Sequence, residues 1–499
     1  MRSFRSFPLV AATLVALALG GCMAKRDSYE TPEIALPETY RQAGKSGIPT
    51  PPESEARLPR DLSRWWTRFD SPELNRLVER ALDNNWRVKA AVARLAQAEA
   101  NLGQTRAGEL PRLEGIADAS VDAPEDGIGT VDSGESVTNE REYRLGLRAS
   151  YEVDLWGANR AASVAAWERS KATMFARRTV AWTLTANVVD TYLRYLSLQD
   201  RVATARKTRQ VFRDLLAAVE ARLEGGEADG LQVAQQRAAV AEASSTIPDL
   251  ERQRDQALHA LAVLVGTTPG NLNLDGESLS GIAYPTVVPG LPSRLLLRRP
   301  DVQQAEHDLL AADADIDVAR AAFLPQFNLT AEGGVGSNFI EVLFRPESLF
   351  FNIAGDVVQD IFDGGANEAR LAASRARHRE LVADYQQASL TALREVEDAL
   401  SAIHFLKQRV AAQREAVAAS RDSLSLNREA FEMGVIDHIS LLDAQRTLFD
   451  NEDAFFSVAL QRAQASVALF QALGGDTDRQ ATAGTPETGA SETEPKPGS

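Results

Sequence analysis

From Ala158 to Glu224 the chain reads ANRAASVAAWERSKATMFARRTVAWTLTANVVDTYLRYLSLQDRVATARKTRQVFRDLLAAVEARLE, 67 residues without glycine or proline between Gly157 and Gly225-Gly226. A second run of 67 such residues, Ala366–Glu432, follows Gly365 and ends just before Gly434. At a rise of 1.5 Å per residue, either run is a helix about 100 Å long. A compact soluble domain does not hold a rod of that length, so each rod requires others alongside it. Ala181, Leu184, Val188, Thr191, Tyr195, Leu198, Val202, Ala205, Arg209, Phe212, Leu216, Val219 and Leu223 follow strict 3-4 spacing, and eleven of the thirteen are apolar. Adding 208 gives a second stripe, from Ser389 through Val396, Ile403 and Val410 to Phe431. A seven-residue repeat imposes left-handed supercoiling against neighbouring helices.

The shared offset indicates a duplicated chain. It also aligns Gly157-Ala158-Asn159 with Gly365-Ala366-Asn367. Beyond the rods the best sequence match shifts to 209, which pairs Gly225 with Gly434, Arg237 with Arg446 and Gly266 with Gly475. An inserted residue in a turn accounts for that slip. A shorter helical run follows each rod, Glu227–Val265 and Val435–Leu473, through turns short enough to make antiparallel hairpins. Pro248 predicts a kink or restart near Ile247.

Upstream of the rods, Leu74–Leu102 and Val302–Phe323 read as matching helices at an offset of 214, each ending at a proline, Pro111 or Pro325. The period then changes. Tyr143, Leu145, Leu147, Ala149, Tyr151, Val153 and Leu155 occupy alternate positions, a two-faced strand suited to an outer-membrane barrel. Phe351–Ile361 is its weaker mate, with earlier strands at Leu113–Val121 and Phe327–Val335 and a polar loop over Asp122–Asn139. Four strands cannot close a barrel, and lipid does not tolerate open edges. Three copies supply twelve, and would gather the rods into a hollow cylinder.

Composition excludes several classes. Lys and Arg number 54 against 70 Asp and Glu, a net charge of −16 that argues against nucleic-acid binding. The single cysteine excludes a disulfide framework and a multi-cysteine zinc site. No internal apolar run reaches the roughly 18 residues of a membrane-spanning helix. The five histidines are scattered, and no nucleophile elbow, phosphate loop or dinucleotide fingerprint is present, so neither catalytic residues nor a metal site are assigned.

Arg2 and Arg5, the apolar run Leu9–Leu19 and Gly20-Gly21 read as a secretory signal over residues 1–21. Leu19-Gly20-Gly21-Cys22 resembles a bacterial lipobox, which implies acylation of Cys22, palmitate included, as the only covalently attached group; no cofactor is expected. Met23 in place of an inner-membrane retention aspartate points to the outer membrane. The resulting division is a signal over 1–21, a lipidated extended leader over 22–60, repeats over 61–275 and 276–475, and a disordered tail over 476–499.

Four strings resemble the TolC-type outer-membrane factors, specifically the NodT-like efflux lipoproteins. They are Trp65-Trp66 with Phe69-Asp70-Ser71-Pro72, Tyr151-Glu152-Val153-Asp154-Leu155-Trp156-Gly157, Gly290-Leu291-Pro292-Ser293 with Arg298-Arg299-Pro300-Asp301, and Leu442-Asp443-Ala444-Gln445-Arg446. The resemblance implies a mostly helical homotrimer with a small transmembrane β part. Its twelve-stranded barrel, four strands per chain, continues into a periplasmic coiled-coil barrel. It implies a passive conduit for small toxic compounds, docked onto a periplasmic adaptor (membrane fusion) protein and coupled to an inner-membrane, proton-driven transporter. Outer-membrane lipids complete the partners. A same-fold conduit for type I protein secretion is the alternative, and a lipid-anchored coiled-coil scaffold is the competing class.

The resemblance places adaptor contacts at Gly225, Gly226 and Gly434. Asp229, Asp437 and His438 become candidates for a periplasmic gate. Related channels carry an aspartate where Ile436 stands here, one residue before Asp437. Asp437 therefore has two readings, a gate carboxylate and the N-cap of the last helix, and Asp229 shares them. His438 is either a group titrating near neutrality or a surface residue without a role. Arg299-Pro300-Asp301 fits a helix start, while Trp156 and Tyr151 fit either an interfacial belt or junction packing.

Overall fold

A computed structural model describes residues 32, 36–42, 64–122, 140–274, 278–285 and 292–474. The signal, Cys22, most of the leader, the loop 123–139, Gly475 and the tail 476–499 lie outside them. Among the described residues every helix and strand belongs to one compact unit.

The elements run α1 (Pro72–Asn84), α2 (Trp86–Ala107), β1 (Arg112–Asp122), β2 (Glu140–Glu152), α3 (Ala158–Glu224) and α4 (Gly230–Val265). A short helix, Pro292–Leu296, then leads into α5 (Pro300–Ala321), β3 (Gln326–Ser337), β4 (Leu349–Val358), α6 (Ala366–Glu432) and α7 (His438–Leu473). Both glycine-free runs are single helices of 67 residues. Among the described residues no helix is long and apolar enough to cross a membrane.

The four strands form one antiparallel sheet in the order β1-β2-β3-β4. Every odd-numbered side chain lies on one face: Leu113 and Val121 on β1, Leu145 and Leu147 on β2, Leu329 and Val335 on β3, Phe351, Ile353 and Val357 on β4. Even-numbered positions carry Glu114, Asp118, Arg148, Glu332 and Asp356 on the other face. An apolar face exposed on a sheet with two unpaired edges is what a lipid-facing barrel wall requires.

β2 ends at Glu152, three residues short of the expected Leu155. Val153 N still donates to Phe327 O at 2.8 Å, but Leu155 N turns back onto Val153 O, also at 2.8 Å. Asp154 then accepts from Asn159 N and Arg160 N, starting α3. Trp156 Nε1 donates to Pro325 O at 2.7 Å, so Trp156 packs the junction.

Three further expectations are corrected. The helix expected over Leu74–Leu102 breaks at Asn85, whose side chain accepts from Arg87 N and donates to Leu264 O, both at 2.8 Å. α4 does not restart at Pro248 but continues as one helix through it, with Ile247 and Leu250 buried on either side. The heptad stripes, as expected, lie against neighbouring helices, and those neighbours belong to the same chain. Leu184, Val188, Val202 and Phe212, like Val396, Val410 and Phe431, are buried within the chain's own helices, α3 against α4 and α6 against α7. Finally, no residue is inserted after the rods: the helix ends Glu224 and Glu432, the starts Gly230 and His438, and the ends Val265 and Leu473 all differ by 208.

An aromatic cluster joins the two repeats where Trp65 stacks on Phe470, with ring centres 5.0 Å apart. Trp182 lies edge-on to Trp65, and its Nε1 donates to Gln471 O at 3.1 Å. Large aromatics fully buried there stabilise by about 2–3 kcal/mol each. Buried Arg299, immediately before Pro300, donates to Asp301, to Glu395 and to the carbonyl of Ala472. Gly474 closes α7 at φ +67°, and a Cβ there would stand 2.8 Å from Arg299 Cγ. The Arg-Pro-Asp string is thus a structural knot.

Candidate functional site: the hairpin tips

Each rod ends in a tight reversal, and the two reversals are built alike. α3 stops at Glu224; Gly225 remains right-handed at φ −76°, and Gly226 turns left-handed at φ +78°. Glu227 N then reaches back to Arg222 O at 2.8 Å. In the second repeat Met433 takes the place of Gly225, Gly434 has φ +73°, and Val435 N reaches Ala430 O at 2.9 Å. These are the six-to-one bonds of a Schellman cap. Gly226, not Gly225, is therefore the structural mate of Gly434, which removes the apparent one-residue slip. A Cβ at Gly226 or Gly434 would touch nothing within 4 Å, so the positive φ alone calls for glycine and the surface above both is open.

Asp229 and Asp437 are N-caps. Asp229 accepts from Gln232 N, and Asp437 from Ser440 N, each at 2.9 Å; Ser440 Oγ also donates to Asp437 at 2.6 Å. Hydrogen bonds from Ser440 hold the exposed Asp437 carboxyl below its ordinary range. Both caps explain the residue type without a gate.

His438 is not on the surface. It is 1% exposed, neither ring nitrogen has a hydrogen-bond partner, and its ring centre lies 5.8 Å from that of Phe431. Burial lowers its pKa, opposed by the nearby charges of Asp437 and Asp229. The Arg222 guanidinium of the first hairpin lies over the same Phe431 ring, 4.9 Å from its centre. Between the hairpins a groove of about 620 Å³ is lined by Arg222, Arg421, Arg428, Glu227, Glu432, Phe431 and Leu441 among others.

Sequence reasoning passed over the exposed apolar residues around the turns. Met433 and Val435 are each 72% exposed, and Leu231 and Ile439 are also uncovered. All four lie outside the 3-4 stripes and within five residues of a left-handed glycine, a signal readable from the sequence. Among the described residues no group of three or more His, Cys, Asp or Glu could hold a metal ion.

The whole chain has clear relatives. A family profile described as "Outer membrane efflux protein" matches residues 77–267 and 291–475, one match per repeat. The pyoverdine export outer membrane protein OpmQ of Pseudomonas aeruginosa is 35% identical over 490 residues, covering 96% of this chain and 99% of that protein. The cation efflux system protein CusC of Escherichia coli is 30% identical over 464 residues, covering 92% and 97%. The crystal structure of a membrane protein from Pseudomonas aeruginosa superposes with a TM-score of 0.81 at 32% identity, covering 90% of this chain and 99% of that one. Four strands with two free edges are one copy's share of a twelve-stranded outer-membrane barrel closed by three. With both repeats matched and the fold shared, the chain belongs to the outer membrane efflux protein family, the outer-membrane channels of efflux systems.

Proposed function

We propose that the protein is the passive exit duct of a tripartite exporter, taking small toxic compounds from a periplasmic adaptor fed by an inner-membrane, proton-driven transporter. The observation behind this reading is the uncovered apolar rim at the tips: Leu231, Met433, Val435 and Ile439 surround the open backbone of Gly226 and Gly434. An apolar rim around a charged groove is the kind of surface on which a partner's helical hairpin seats. The tips are the adaptor-contacting region, with Gly225 at its margin. Asp229 and Asp437 influence any gate through the helix starts they cap, and His438 does so from behind the surface. Cys22 anchors the leader by its acyl chains, adding to the hold of the barrel.

The test is a deletion strain complemented with the wild-type chain or with a Met433→Asp, Val435→Asp variant. Wild type should restore tolerance to dyes and detergents. The variant should reach the outer membrane as a trimer yet fail to restore tolerance or to crosslink to an adaptor. Restoration of protein secretion with no change in tolerance would support type I secretion instead.

A further inference from the structure

The two outer strands, β1 and β4, have no partner on one side in the single chain. In the trimer, β4 of one copy meets β1 of the next. Only registers that keep odd positions facing odd positions preserve the apolar outer face on both strands. The allowed registers therefore differ by steps of two residues.

The internal repeat suggests one of them. Arg148 of β2 faces Glu332 of β3, with guanidinium and carboxylate 3.3 Å apart. Carried over by the offsets of 208 and 214, that pair becomes Asp356 facing Asp118, and the pair Glu152–Asn328, four residues along, becomes Asp360, two residues past the end of β4, facing Glu114. Strict repetition thus sets carboxylate against carboxylate twice, once where the internal seam has an ion pair and once where it sets Glu152 against Asn328, and directly opposed like charges are unfavourable. Sliding two residues in one direction sets Asp360 against Arg112, Asp356 against Ile116 and Ala354 against Asp118. No like-charged pair remains, and one opposite-charged pair appears. Sliding two further sets Asp356 against Glu114.

Barrel closure argues against strict repetition. Across one chain Glu114, Arg148, Glu332 and Asn352 lie in one row. If Asn352 faces Ser120 of the next copy, the rows climb six residues per copy, and twelve strands tilt by about 46° at ordinary strand spacings. Strict repetition, with Asn352 facing Asp122, tilts them by about 54°, beyond the usual range of roughly 35–45°. The further slide, climbing four residues per copy, would tilt the strands by about 35° and is disfavoured by its Asp356–Glu114 pair alone.

We infer that the intersubunit seam departs from the internal repeat by two residues, with Asp360 of one copy opposite Arg112 of the next and Ala354 opposite Asp118. Arg112, now 2.8 Å from Glu114 of its own strand, would bridge both carboxylates.

The inference is tested by disulfide trapping in the full-length, membrane-assembled protein. Ala354→Cys is combined in turn with Ile116→Cys, Asp118→Cys or Ser120→Cys, and thiols are oxidised with copper phenanthroline. Directly opposed Cβ atoms are within disulfide reach, whereas those two residues away are about 7–8 Å apart. The Asp118 pair should give several-fold more covalent trimer than either other pair, with none from the single variants. A maximum at Ser120 would establish strict repetition, one at Ile116 would establish the further slide, and either overturns the assignment. Should a cysteine pair fail to assemble, Asp360→Arg and Arg112→Asp provide a second measurement. Each alone should lower the heat resistance of the trimer and the double variant should restore it; no restoration overturns the assignment.

Discussion

The guanidinium of Arg222 lies 4.9 Å from the centre of the Phe431 ring, and this contact ties the end of the first long helix to the end of the second. Phe431 in turn covers buried His438, so one ring links an arginine of one hairpin to the start of the last helix. Arg222 also pairs with Glu227 at 3.8 Å. A cation over an aromatic face at a partly exposed site stabilises by about 0.5–2 kcal/mol. Arg222→Ala should therefore leave assembly intact while loosening the two tips. Planar-bilayer recordings should show a larger or more frequently open conductance than wild type, and Arg222→Lys should fall between. An unchanged conductance would mean the contact does not restrain the tips.

The glycines separate strain from surface. At Gly226 and Gly434 an alanine meets no neighbour but is forced to positive φ, costing about 1 kcal/mol. At Gly225 the backbone is right-handed, and the nearest atom to a new Cβ is 3.6 Å away. Gly226→Ala and Gly434→Ala should lower the thermal midpoint of the trimer, and Gly225→Ala should not. Loss of export by Gly225→Ala at unchanged stability would report the partner's surface directly.

Much of this architecture was legible in the sequence, and the misses have distant and local causes. Both 67-residue helices were bounded by glycines that end them, and the alternation Tyr143–Tyr151 gave the strand and its lipid face. The break at Asn85 was hidden because its other partner, Leu264 O, is 179 residues away. The early end of β2 comes from a local turn, Leu155 N back onto Val153 O, with Asp154 starting α3, and the continuity of α4 through Pro248 accompanies the burial of Ile247 and Leu250. Aligning glycine with glycine produced the false slip at the tips, since Met433 takes the place of Gly225. His438 looks like a surface residue beside a turn, and only the packing of Phe431 shows otherwise.

That burial gives His438 a defined pH signature. Its folded-state pKa lies below the ordinary histidine value of about 6.5, because desolvation outweighs Asp437 and Asp229. The unfolded chain then binds the proton first. The stability contributed by the neutral ring is fully present above about pH 6.5 and is lost as pH falls through the lowered folded pKa. Thermal midpoints measured from pH 7.5 to 5 should fall for wild type. His438→Phe should flatten that part of the profile and raise the midpoint at pH 5, since it removes two unpartnered nitrogens. A wild-type profile that does not fall in this window would contradict a buried neutral histidine.

Arg299 should be the costliest single side chain at the join between the repeats. It is 7% exposed and holds Asp301, Glu395 and Ala472 O together. Arg299→Ala leaves two carboxylates that are each more than a third exposed, so water re-solvates them in part. The expected loss is about 2 kcal/mol, below the 3–5 kcal/mol of a fully buried pair. Arg299→Lys should recover less than half of it, because an ammonium cannot reproduce the forked bonds to Asp301. Urea denaturation of the detergent-solubilised trimer reads both values.

The proposed acylation at Cys22 and insertion of the barrel should be separable. The apolar outer face, with Leu145, Leu147, Phe351 and Ile353 exposed on one side of the sheet, gives the protein its own hold in the bilayer. The proposed acyl chains on Cys22 would contribute a further, weaker anchor on the leader. Cys22→Ala should remove the lipid mass, read by mass spectrometry of the mature chain. The heat-resistant trimer should remain in the outer-membrane fraction with export reduced at most a few-fold. A Cys22→Ala protein recovered wholly from the soluble periplasm would mean that the lipid directs insertion, and that the exposed strand face cannot find the membrane without it.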